Sequence, residues 1–170
     1  MSNHKIKHER EGFTIIEVVL VLAIAGLIFL MVFVALPALQ RSQRDTQRRD
    51  DMARFSSQLT QYQSNNNGKV PSEDADSTAK WNNFISSYLR VAGDDYKDPN
   101  GVDYTVSKVV KCTSSACNVA HGANDYQEGK IYVYTNATCS GEEATYAASG
   151  SRKVAFTYKL EGAGTYCGNN

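Results

Sequence analysis

Polarity along this chain switches abruptly. From Val18 to Leu39 no residue carries a charge, a side-chain amide or a hydroxyl. As a helix, a run of that length extends about 33 Å, enough to cross a hydrocarbon core of about 30 Å. The pattern then inverts: from Gln40 to Asp51 every residue is polar, the methyl of Thr46 aside. A third pattern starts at Met52 and continues through Phe55, Leu59 and Tyr62, spaced as one apolar stripe on a helix face. Together these runs predict one helix from Thr14 to Ser64, stopped by Asn65, Asn66, Asn67, Gly68 and Pro71. Its first half is an anchor, and its last turns pack the stripe against a globular head. In the polar middle, Arg41 with Asp45 and Asp45 with Arg49 stand four residues apart, where an ion pair adds a few tenths of a kcal/mol. Two breakers lie inside the anchor, Gly26 and Pro37. Pro37 removes a backbone donor and crowds the preceding turn, so a kink or local unwinding is expected within that window.

After Pro71 a polar, acidic connection leads into a second, short helix with Trp81, Phe84, Ile85, Tyr88 and Leu89 on one face. A loop from Gly93 to Gly101 contains the strong turn Asp98-Pro99-Asn100-Gly101. Three strand-like runs follow, Val102 to Val110, Lys130 to Asn136 and Val154 to Leu160. The fold class expected is α+β: a long N-terminal helix packed on a small antiparallel sheet of three or four strands.

Charge excludes some functions. With 18 basic and 18 acidic residues the net charge is zero, which does not suggest a nucleic-acid binder. The segment beyond the apolar run is about 130 residues, the size of one compact domain. The three histidines, His4, His8 and His121, are scattered, and no nucleophile–base set, phosphate loop or zinc-protease motif is present. No enzyme and no cofactor is expected. The aspartates Asp94, Asp95, Asp98 and Asp103 crowd one loop and offer a weak calcium site, against which a solvated acidic turn is the simpler reading. Cys112, Cys117, Cys139 and Cys167 all fall in the C-terminal third, an even count that suits two disulfides better than zinc. Three pairings are open; a local Cys112–Cys117 loop with Cys139–Cys167 is favoured. Lys5, Lys7 and Arg10 precede the apolar run while Arg41, Arg44, Arg48 and Arg49 follow it, so charge alone leaves the membrane orientation open.

The junction itself carries more. A short charged leader ends in Gly12, followed by Phe13, Thr14, Ile15, Ile16 and a lone carboxylate, Glu17, at the head of the apolar run. An ionisable group in that position is a functional hypothesis by default. Gly12-Phe13-Thr14-Ile15-Ile16-Glu17 before an uncharged helix resembles the class III signal of type IV pilins, pseudopilins and competence pilins. That resemblance implies a prepilin peptidase that cuts after Gly12 on the cytoplasmic side, which fixes the orientation, and methylates the new amine of Phe13. The mature chain would have 158 residues. It implies that Phe13, Thr14 and Glu17 serve assembly, with Glu17 pairing with the Phe13 amine of a neighbouring subunit to set axial register. The expected divisions are 1–12 as a cleaved leader, 13–39 as membrane and filament-core helix, 40–64 as its continuation, and 65–170 as the head. By the same resemblance, Gly26 to Pro37 is a candidate unwinding segment, and Cys139–Cys167 matches the C-terminal disulfide loop of many pilins. The polar middle of the helix would be either a solvated face or a site of intersubunit salt bridges. The expected partners are further copies of the chain, the peptidase and assembly machinery, the inner membrane before assembly, and host surfaces or DNA reached through the filament. Two alternatives stand beside the pilus subunit: a pseudopilin of a secretion system, whose turn into the sheet the Asp98–Tyr104 stretch resembles, and a signal-anchored ectodomain that never polymerises.

Overall fold

The computed structural model describes residues 12–74, 77–91, 93–113, 117, 127–147, 152–162 and 164–170. The leader up to Glu11 and His121 lie outside them. One helix dominates: α1, Ile15–Asn65, 51 residues long and continuous through Gly26 and Pro37. The chain divides into two compact units, Met1–Gln40 and Arg41–Asn170. In the first, no described side chain is buried, and apolar groups such as Phe13, Leu30 and Phe33 lie in the open. This is a helix long and apolar enough to cross a membrane.

The second unit closes around a core. Met52, Phe55 and Leu59 from α1 are fully buried, as the stripe predicts. They meet α2 (Thr78–Phe84), which ends in a π-helical turn, Ile85–Leu89, where the Arg90 N–H reaches back five residues to the Ile85 carbonyl. Phe55 sits at the centre, its ring 4.8 Å from that of Phe156 and 5.5 Å from that of Phe84. Rings at these separations with steep interplanar angles add to simple burial.

The strands are β1 (Thr105–Lys111), β2 (Lys130–Thr135), β3 (Ala137–Ser140), β4 (Glu143–Tyr146), β5 (Val154–Lys159) and β6 (Thr165–Asn169). Four of them form one sheet in the order β1-β2-β5-β6, and β3 pairs with β4 separately. The sheet is mixed rather than wholly antiparallel, because β1 runs parallel to β2. Parallel neighbours need a connection of a dozen residues or more, and the chain from Cys112 to Gly129 supplies it. Sequence periodicity also misses β3, β4 and β6, which are short and contain no Val, Ile or Leu. β6 passes so close to Phe156 that only Gly168 fits there: a Cβ would stand 2.5 Å from the ring. One sheet face carries Ile131, Val133, Val154, Phe156 and Tyr158 into the core with α1 and α2. The other face carries Tyr132, Tyr134 and Ala155 into a second cluster with Ala137 and Ala144 of the β3–β4 hairpin. Burial on both faces makes β2 and β5 almost continuously buried strands.

Both favoured disulfides are present, Cys112–Cys117 and Cys139–Cys167. The second ties the hairpin to β6 across 28 residues of sequence, whereas the first closes only 5.

A charge network completes the head. The Arg48 side chain is 2% exposed and donates from Nε to Asp98 Oδ2 (2.7 Å) and from Nη2 to Asp98 Oδ1 (3.0 Å). Its Nη1 donates to Asp45 (2.9 Å) and Glu161 (3.2 Å). Tyr158 donates its hydroxyl proton to Asp98 at 2.6 Å. Arg44 forks onto Glu161 at 2.7 and 2.5 Å. Arg44, Asp45 and Arg48 in the polar middle of α1 are therefore not a plain solvated face; they are docked on their own head.

Two predictions follow from these links. Loop-closure entropy makes loss of the 139–167 bridge the costlier, about 3–4 kcal/mol against about 2 for the 112–117 bridge. The paired Ser variants, compared by urea denaturation, should show that ranking. Acid should also weaken the head. The Arg44 hydrogen bond holds the Glu161 carboxyl down to about 2. Burial raises the Asp98 pKa, but Arg48, Tyr158 and the Asn100 N–H outweigh it and leave it below its ordinary value. A carboxyl depressed in the folded state gives stability that is lost as the unfolded chain begins to bind protons. Stability should fall from about pH 4.5 towards pH 2, read by thermal melts. Burial raises the Asp51 carboxyl, so its protonation acts in the opposite direction and softens the slope.

Candidate functional site

The N-terminal junction is built by local chemistry. Gly12, Phe13 and Thr14 are non-helical, and α1 begins at Ile15. The Thr14 carbonyl accepts the first helical bond, from the Val18 N–H at 3.3 Å, which makes Thr14 the N-cap. The Glu17 N–H donates to Thr14 Oγ1 at 3.4 Å, and the Thr14 N–H donates back to Glu17 Oε2 at 2.9 Å. This reciprocal pair is a capping box, satisfying two amides that a helix start otherwise leaves without partners. The Thr14 hydroxyl donates to the same Oε2 at 2.9 Å. Both contacts use one carboxylate oxygen; among the described residues Oε1 accepts no hydrogen bond.

Phe13 precedes the cap and Val18 lies at the fourth helical position, the pair that a hydrophobic staple joins. Both line one shallow groove with Glu17, Val21 and Leu22. A negative charge in the first turn also faces the positive end of the helix dipole. The capping box is legible in the sequence as Thr-x-x-Glu before an apolar run, and the reading of Glu17 as an assembly group alone overlooks it.

Phe13, Thr14 and Glu17 are thus brought together, with Gly12 beside them. Gly26 and Pro37 stand apart on the same helix; around Gly26 no neighbour lies where a side chain would extend, and α1 shows no unwinding at either in the single chain. The four loop aspartates do not converge. Asp98 is taken by Arg48, Asp94 pairs with Arg54, Asp95 with Lys97 and Asp103 with Arg90. Among the described residues no three His, Cys, Asp or Glu side chains are placed to share a metal ion. The cysteines are consumed by the two bridges. The geometry offers an exposed, non-helical tripeptide, a carboxylate held at the start of a helix, and an apolar surface of which no described side chain is buried within its own unit.

No curated protein and no solved structure is similar enough to the chain to count as a match. Residues 7–33 match the family described as the prokaryotic N-terminal methylation motif, a stretch covering Gly12, Phe13, Thr14, Glu17 and most of the apolar run. The N-terminal segment of this protein is therefore the class III signal of type IV pilin-like proteins.

Proposed function

We propose that this protein is a structural subunit, a major pilin, of a type IV pilus. It is made as an inner-membrane precursor, cut after Gly12 and methylated on Phe13 by a prepilin peptidase, and polymerised through α1 into a surface filament. One observation carries this reading: the methylation motif leads into an apolar helix that buries no described side chain in its own unit. An apolar surface of that size needs a partner, the bilayer in the precursor and copies of the same helix in the filament. Each Val, Leu, Ile or Phe withdrawn from water contributes about 1.5–3 kcal/mol, so helix packing drives assembly.

Glu17 supplies register. Cleavage leaves a cationic amine on Phe13, and a charge buried in the filament core requires a counter-ion. The Glu17 carboxylate stands one turn along, with Oε1 still able to accept. Pairing it with the amine of the next subunit selects one axial offset among many that the apolar surface alone tolerates. Stretching of the filament would draw on Gly26 to Pro37, where α1 has the weakest helix formers. Such filaments serve adhesion, twitching motility or DNA uptake, with motor ATPases elsewhere in the machine. The turn at Asp98 favours a second reading, a pseudopilin forming a short periplasmic fibre, whereas the two disulfides favour the pilin.

Shearing filaments from cells and weighing their main protein tests this directly. A chain starting at N-methylated Phe13 and lighter by about 4 Da for two oxidised bridges is expected. An uncut chain held in the membrane overturns the reading, and a cut chain that is never shed points to the pseudopilin. Glu17→Val should insert and be processed normally yet reduce sheared filament to background; filaments at wild-type yield would remove the register role. Gly12→Ser should leave the leader attached, visible as a heavier band in the membrane fraction.

A further inference from the structure

Residues 40–51 of α1 have no apolar reason to remain helical, since none of them offers a core a hydrocarbon side chain. A polar stretch of that length is marginal as an isolated helix. It is instead held from the side, by the turn between β5 and β6. Asp45 Oδ1 accepts the Glu161 N–H at 2.8 Å and Oδ2 accepts the Gly162 N–H at 2.7 Å. Two successive amides aimed at one carboxylate form an anion nest. The turn answers in kind: Glu161 receives both arms of the Arg44 guanidinium and a third contact from Arg48. Helix carboxylate on turn amides and turn carboxylate on helix guanidinium make a two-way lock. Gly162 permits the close approach, since a Cβ there would stand 3.0 Å from Asp45 Oδ2. The network lies at the very start of the second unit, and N-terminal to it no described side chain of α1 is buried.

We propose that the β5–β6 turn is a clasp that keeps residues 41–51 helical and confines any unwinding of α1 to the segment before Arg41. The clasp depends on contacts within one subunit; only its consequence for a strained filament rests on the pilus reading. The sequence already places Gly26 and Pro37 on the unclasped side. A filament under load would then lengthen through its anchor segment while each head stays attached to an intact helical stalk.

Hydrogen–deuterium exchange on the full, unassembled chain in detergent micelles tests this without requiring pili. Amides of residues 41–51 should be protected in the wild type. In Asp45→Ala, which removes both acceptors, they should exchange roughly tenfold faster or more while β2 and β5 stay protected. Unchanged exchange there with an intact head overturns the proposal, as does a wild type in which this stretch exchanges like an unstructured peptide. Should Asp45→Ala unfold the head, Glu161→Gln keeps the Asp45–amide bonds and weakens only the Arg44 and Arg48 arms. A smaller acceleration confined to residues 41–51 then supports the clasp, and none at all removes it. Failure of the chain to form pili in cells would count against the function proposed above and leave this result standing.

Discussion

Arg48 keeps its charge with its side chain 2% exposed, and each terminal group of its guanidinium is spent on a carboxylate from a different part of the head. Asp98, its main partner, has a fully buried side chain and also accepts from Tyr158 of β5. Tyr158 in turn accepts the Gly129 N–H just before β2. One cation on α1 therefore locates the turn that leads towards β1, the approach to β2 and the end of β5. Arg48 precedes Met52 by one helical turn, so it continues the buried stripe with a charge. An apolar stripe alone tolerates sliding along the helix; a two-armed ion pair at 2.7 and 3.0 Å does not. Removing one partner of such a buried pair typically costs about 3–5 kcal/mol, because the other is left without compensation.

That arrangement explains what the sequence made legible and what it hid. The long helix, the Met52-Phe55-Leu59 stripe, the Trp81-to-Leu89 segment and the three main strands all announce themselves by period, since burial on one face imposes it. Arg48 has no such signature. Its role exists only once Asp98, fifty positions later, is folded against it, so residues 40–51 read as a solvated face or a site of intersubunit salt bridges, not as a dock for the chain's own head. The parallel β1–β2 pair and the short β3, β4 and β6 were hidden for a related reason. They are specified by a crossover, by the Cys139–Cys167 bridge and by a second cluster behind the sheet, all of which are long-range. The Thr14–Glu17 box was local and legible, yet easily passed over beside the more conspicuous apolar run.

The same network bears on the arginines that follow the span. In the orientation proposed above, Arg41, Arg44, Arg48 and Arg49 set a positive charge on the side that the topology rule would keep neutral. In the folded head Arg41, Arg44 and Arg48 are matched by Glu161, Asp45 and Asp98. The topology rule acts on a nascent chain before those partners arrive, so the opposing charge belongs to the unfolded chain and not to the folded head. The two units thus differ in kind: the second pairs its buried charges, Arg48 and Asp98, and closes a core, while the first presents an apolar helix and one polar tip.

The position of that tip has a further consequence, which concerns chemistry on the backbone. In the processing proposed above, a peptidase must reach the carbonyl it attacks, and a helix hides the carbonyls it has hydrogen-bonded. Thr14 ends the helix with its own side chain, so the ladder cannot propagate backwards through Phe13 to Gly12. The Gly12–Phe13 bond is left as non-helical, unladdered backbone immediately ahead of α1. Glu17 completes the box by accepting the Thr14 N–H, but the stop itself rests on the Thr14 hydroxyl, which accepts the backbone amide of residue 17 whatever side chain stands there.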